Sequence, residues 1–139
     1  MPKTIRDVTG ARIPTGTRSR LRQRLLDGQY IEEAEALRIV REICSALDFA
    51  HQKGVIHRDV KPSNIMLDIT ARAILTDFGL VLIQSDGTRG AVLGTPHYLA
   101  PEQAKSSANA GPTSDLYSIG VIMYEMFTNL RPFDAKKPI

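Results

Sequence analysis

The chain is poor in cysteine and in aromatic side chains. Its 139 residues hold one cysteine, Cys44, and no tryptophan, and aromatics make up only 6%. A single cysteine cannot close an internal disulfide, so a disulfide-stapled secreted scaffold is excluded. It cannot build a cysteine-based zinc site either, and three scattered histidines suggest no other. No apolar run reaches the roughly 18 residues that span a bilayer. Residues 1–20 lack the apolar centre of a secretory signal. The core must therefore be built mainly from Leu, Ile, Val and Ala. With 42% hydrophobic and 24% charged residues, the composition is that of one globular domain, expected to be cytoplasmic.

Charge is unevenly placed. Residues 1–24 carry seven basic side chains (Lys3, Arg6, Arg12, Arg18, Arg20, Arg22, Arg24) against Asp7, so this stretch is +6 and the remainder −3. Such a stretch can attract anionic partners or simply be a solvated surface. No aromatic residues interleave with the arginines, so there is no stacking platform for single-stranded nucleic acid. Neither a nucleic-acid partner nor a membrane segment is expected.

Residues 1–17 lack periodicity and read as an irregular basic arm. Residues 18–26 suggest a short helix ending near Gly28. Ala36, Leu37, Val40, Ile43, Cys44, Leu47 and Ala50 recur at spacings of three and four, which predicts an amphipathic helix from Glu32 to Lys53. Ile65 to Leu67 and Ala73 to Leu75 are strand-length apolar runs separated by a polar turn, which predicts a small hairpin. Residues 79–112, rich in Gly, Ser, Thr and Pro, read as a long loop. A second helix is expected from Ser114, as N-cap, to Arg131-Pro132. Its apolar residues lie nearly all round, which places it at the centre of a larger body.

Four motifs follow in order: His57-Arg58-Asp59-Val60-Lys61-Pro62-Ser63-Asn64, Asp77-Phe78-Gly79, Gly94 to Glu102 (GTPHYLAPE), and Ser114 to Gly120 (SDLYSIG). Together these motifs resemble those of the protein kinases, whose reaction, phosphoryl transfer, needs positioning and charge neutralisation more than covalent chemistry. Asp59 offers a carboxylate to orient a hydroxyl and accept its proton. Lys61 places a cation where a transferring phosphate would carry negative charge. Asn64 and Asp77 are oxygen donors on separate segments, and magnesium suits a site of few protein oxygens completed by phosphate and water. The plainer alternative is a pair of polar turns.

The ordered set resembles the protein kinase family, and its style resembles the bacterial serine/threonine kinases. The resemblance covers about residues 18–139. It implies a mainly α fold with a small β-hairpin, a partial kinase-like large lobe with the small lobe and last helices absent. It implies ATP and Mg2+ as cofactors and a protein Ser or Thr hydroxyl as acceptor. Asp59 and Lys61 would be catalytic. Lys61, Asn64, Met66 and Asp77 would face the nucleotide, with Asn64 and Asp77 on the metal, although Met66 also fits plain core packing. Arg58 would receive a phosphate on the activation loop, with Ser85 and Thr88 as acceptors, and Thr95 would bond Asp59 and Lys61. His57 and Phe78 would stack internally, and Asp115 would bind the backbone around His57.

The same resemblance exposes departures. Residues 1–56 hold no Gly-rich phosphate loop and no strand lysine of the kind kinases use. Glu102 would lack the arginine that usually pairs with it, leaving it loosened or turned to solvent. Two readings follow: a truncated stretch of a working serine/threonine kinase, inactive alone, or a non-catalytic remnant that binds nucleotide or protein.

Overall fold

The structure is a computed structural model that describes residues 19–78 and 96–133. The expected irregular arm, residues 1–17, and residues 79–95 of the expected loop lie outside the described residues. Among the described residues, three short strands and four helices surround one apolar core.

The longest helix, here α2 (Glu33–Gln52), follows a short helix α1 (Leu21–Leu26). Ala36, Ile39, Ile43, Leu47 and Ala50 are its buried stripe. This is the expected amphipathic helix with its face shifted. Ile39 is fully buried, whereas Leu37 is 43% exposed, because one residue is a 100° turn away from Ala36. Glu33 and Glu35 occupy the first turn, where the helix dipole favours negative charge. Arg24 of α1 pairs with Glu35, and this hydrogen bond holds the Glu35 carboxyl below its usual range. The helix stops where Gly54 turns left-handed (φ 77°) and donates its N–H to the His51 carbonyl.

Strands β2 (Ile65–Leu67) and β3 (Ala73–Leu75) pair antiparallel, with Ile65 opposite Leu75 and Leu67 opposite Ala73. Their turn is built on Asp68. Its Oδ1 accepts the N–H and hydroxyl of Thr70 and the N–H of Arg72 at 2.8, 2.6 and 2.9 Å. The turn docks on α2, where Arg38 donates to the Ala71 carbonyl and Glu42 accepts the Ala73 N–H. The expected hairpin gains a third strand. Residues 18–26 are not one helix, because β1 (Ser19–Arg20) pairs with Leu67 and Met66 before α1 begins. The open edge of β2 supplies the backbone partners that draw Ser19 and Arg20 out of the helix.

Two further expectations need correction. The stretch from Pro96 to Gly111 is not all loop. It holds a helix α3 (Pro101–Lys105) and single 3-10 turns at Pro96–Tyr98 and Ser107–Asn109. Pro101 stands at the first turn, and Gln103 folds its side chain back to accept the Ala100 N–H at 3.2 Å.

Helix α4 (Pro112–Thr128) begins after Gly111, so Ser114 is not the N-cap. Ser114 lies three residues inside, and its hydroxyl oxygen accepts the Gly111 N–H at 3.1 Å. The helix ends before Arg131-Pro132, because Asn129 adopts the left-handed conformation (φ 57°), which its short polar side chain tolerates. Ile119, Ile122 and Met126 of α4 are buried. Leu116, Tyr124 and Phe127 stay about half exposed, so among the described residues this helix is covered on one side only. No described helix is long and apolar enough to cross a membrane.

Candidate active site

The segment between α2 and β2 crosses the mouth of the hairpin, and His57 pins it there. His57 is fully buried, with its ring edge-to-face against Phe78 at 4.5 Å between centroids. The Thr76 carbonyl, 2.7 Å from Nε2, can only accept, so Nε2 carries the proton. Nδ1 then accepts the Asp59 N–H at 3.0 Å. Both ring nitrogens are satisfied only in the neutral form, and burial lowers the pKa from its ordinary value.

The unfolded chain takes up a proton on His57 before the folded chain does. The contribution of His57 is therefore complete above the unfolded value near 6.5 and is lost as pH falls below it. The urea midpoint of the native chain should fall between about pH 6.5 and 5, and His57→Gln should flatten that decline even though it lowers the midpoint overall. An unchanged slope in His57→Gln would contradict this assignment.

Arg58 has φ 73°, an uncommon and strained backbone for a branched-out side chain. Its N–H donates to Asp115 Oδ1 at 2.9 Å, and its carbonyl accepts from Gln103 Nε2 at 3.0 Å. Asp115 is 1% exposed, and its second oxygen accepts the His57 N–H at 2.9 Å and lies 2.8 Å from His51 Nε2. Helices α3 and α4 thus each send one side chain to hold the backbone immediately before Asp59, and α2 sends His51 to the carboxylate of Asp115. The contact of Asp115 with the backbone around His57 is as expected. His51 and Gln103 were not foreseen. For Gln103 a signal existed: a glutamine three residues after Ala100 and two after Pro101 is half of a capping-box pattern.

Asp59 is 20% exposed on its side chain, and Lys61 is 21% exposed. Lys61 Nζ stands 3.3 Å from Asp59 Oδ2, and Asn64 Nδ2 is also 3.3 Å from that oxygen while donating to the Asp59 carbonyl at 2.8 Å. With Nδ2 committed to Asp59, the oxygen is the part of the Asn64 amide left to act as a donor to a cation.

Asp77 reaches the same region through strand pairing. Asn64 immediately precedes β2 and Thr76 immediately follows β3, and the Asn64 carbonyl accepts both the N–H and hydroxyl of Thr76 at 2.8 and 3.0 Å. Asp77 comes next, exposed and left-handed (φ 64°), with Oδ2 3.4 Å from the Thr76 hydroxyl. A carboxylate and an amide oxygen, on the residues at the open end of the hairpin, are by their chemistry a donor set for a hard divalent cation that keeps phosphate and water as its other ligands. Met66 lies between these ends on the middle strand and is buried.

Ser85, Thr88 and Thr95 fall outside the described residues. The Arg58 Nε is buried with no hydrogen-bond partner among the described residues. Glu102 is not left unpartnered. The Ser114 hydroxyl donates to its Oε1 at 2.6 Å, and this bond lowers its pKa. Tyr98 is buried and donates its hydroxyl to Glu125, which with burial raises its pKa far above the phenol range.

A family profile described as "Protein kinase domain" matches residues 14–138. The chain is similar to the serine/threonine-protein kinase PknB of Mycobacterium leprae, 43% identical over 109 residues, covering 76% of this chain and 17% of that protein. It is similar to the probable serine/threonine-protein kinase PknB of Lactococcus lactis, 38% identical over 122 residues, covering 86% and 19%. It is also 40% identical over 109 residues to PknB of Mycobacterium tuberculosis, covering 75% and 17%. The chain spans less than a fifth of the length of these curated relatives.

Proposed function

The chain belongs to the protein kinase family, and from that premise we propose that residues 57–77 form the phosphoryl-transfer centre of a cytoplasmic serine/threonine kinase, within a segment of its large lobe. The reaction moves the γ-phosphate of ATP to a Ser or Thr hydroxyl of a protein. The observation that carries this reading is the meeting of Lys61 and Asn64 on one oxygen of Asp59, both at 3.3 Å. That contact turns the other carboxylate oxygen to the incoming hydroxyl, whose proton it takes. Lys61 stands beside the acceptor oxygen and offsets charge on the phosphoryl group as it passes. Asn64 and Asp77 would hold Mg2+, which when bound neutralises the phosphate oxygens. Met66 gives the adenine an apolar floor.

Arg58 is the receiver for a phosphate on Ser85 or Thr88, and Thr95 tightens Asp59 against Lys61. The 139-residue polypeptide by itself transfers phosphate negligibly, because its own residues include no Gly-rich cover for the phosphates.

Metal placement is tested by adding Mn2+ and ATP to the 15N-labelled chain. Amide signals of Asn64, Ile65, Thr76 and Asp77 should broaden selectively, and Asp77→Asn should abolish the broadening. Broadening that persists unchanged in Asp77→Asn would overturn the assignment.

A further inference from the structure

The peptide that joins Arg58 to Asp59 is held on both of its edges. It is trans, as are all peptide bonds among the described residues, so its carbonyl and its N–H point in opposite directions within one plane. The N–H, on Asp59, donates to His57 Nδ1 at 3.0 Å. The carbonyl, on Arg58, accepts from Gln103 Nε2 at 3.0 Å. Gln103 is 2% exposed, and its Oε1 accepts the Ala100 N–H at 3.2 Å. The position asks for a donor toward Arg58 and an acceptor toward Ala100. A carboxamide supplies both without charge, whereas an ionised glutamate would bring no donor.

Gln103 is itself anchored. Ala100 is fully buried, the Tyr98 carbonyl accepts the Ser118 hydroxyl at 2.6 Å, and the Ser114 hydroxyl donates to Glu102. The stretch 98–103 is thereby seated on α4, which also sends Asp115 to the Arg58 N–H. Rotation of the Arg58–Asp59 plane changes ψ of Arg58 and φ of Asp59. Such a rotation would turn the Asp59 carboxylate away from Lys61 and Asn64, both 3.3 Å from Oδ2. Arg58 holds φ 73°, which L side chains rarely adopt. Releasing one edge of the plane therefore lets the backbone relax toward commoner angles.

Resting on the kinase reading above, we propose that Gln103 is a positioning residue for the transfer step: by fixing the Arg58–Asp59 plane it aims the Asp59 carboxylate at the acceptor hydroxyl. It acts through the Arg58 carbonyl, so this tie is separate from any phosphate received by the Arg58 guanidinium.

The test is amide hydrogen exchange and 15N NMR on the full 139-residue chain. Gln103→Glu keeps the acceptor for Ala100 and removes only the donor to Arg58. Gln103→Met removes both bonds with little change of volume, and it carries the test if a buried carboxylate prevents folding. In each variant the Asp59 amide should exchange about tenfold faster relative to the buried Ile43 amide of α2. The His57 Nδ1 resonance and the side-chain NH2 signals of Asn64 should shift with it. If Gln103 served only as a cap on α3, Gln103→Met would move the Ala100 signals and speed Asp59 and Ile43 exchange equally. That result would overturn the proposal, as would Asn64 side-chain signals that stay in place. The Mn2+–ATP broadening at Asp77 is read on the unsubstituted chain in the same series. Broadening that holds while Asp59 exchange does not respond overturns the positioning role alone. Absence of that broadening overturns the kinase reading itself.

Discussion

Grafted into the kinase domain of the Mycobacterium leprae relative in place of the matching segment, residues 19–133 should support protein phosphorylation, and Asp59→Asn should lower the rate by about a thousandfold. The variant is nearly isosteric. It keeps the Asp59 carbonyl that accepts from Asn64 at 2.8 Å and the N–H that donates to His57. What it removes is the proposed acceptor for the hydroxyl proton and the negative partner of Lys61, 3.3 Å away. A thousandfold loss corresponds to about 4 kcal/mol of transition-state stabilisation, within the range of a positioned base. The ungrafted polypeptide should show no Mg2+-dependent transfer. A chimera that keeps a tenth or more of its activity with Asn at position 59 would remove Asp59 from its role. So would transfer by the polypeptide alone that ignores this substitution.

The second large effect is on stability. Asp115→Ala should cost about 3–5 kcal/mol, enough to unfold much of a marginally stable domain. The carboxylate is 1% exposed and serves the N–H groups of His57 and Arg58 together with the His51 ring. Its loss strands two buried backbone donors, each costing about 1–3 kcal/mol, and releases Arg58 from a conformation it does not prefer. Gln103→Ala removes two neutral bonds, one to the Arg58 carbonyl and one from the Ala100 N–H, and should cost only about 1–2 kcal/mol. Urea denaturation of the two variants side by side checks the order. A loss below about 1 kcal/mol for Asp115→Ala would mean that the backbone before Asp59 is held by something else.

The elements legible in the sequence were those with a strong period. The stripe on α2 and the paired runs of β2 and β3 announced themselves, down to the strand bounds. What was hidden depended on partners distant in the chain. Ser19 and Arg20 look helical until the edge of β2 is available to them. Ser114 looks like a cap until Pro112 and Gly111 claim the start of the helix. The chemistry-bearing residues were visible as motifs, yet their convergence was not. The Asn64 carbonyl reaches Thr76, the neighbour of Asp77, only because Ile65 pairs with Leu75. His51 carries no local mark at all, since its importance lies in a contact 64 residues away.

The hairpin has one more consequence. Its Asp68 turn lies at the far end from Asn64 and Asp77, and the two strands climb away from those residues rung by rung. Residues added in matched pairs at the turn would lengthen the ladder without changing which atoms face each other at the open end. Length polymorphism among homologous chains is therefore to be sought between residues 68 and 72. The interval from Asp59 to Asn64, whose length brings Lys61 and Asn64 to one oxygen of Asp59, should admit none.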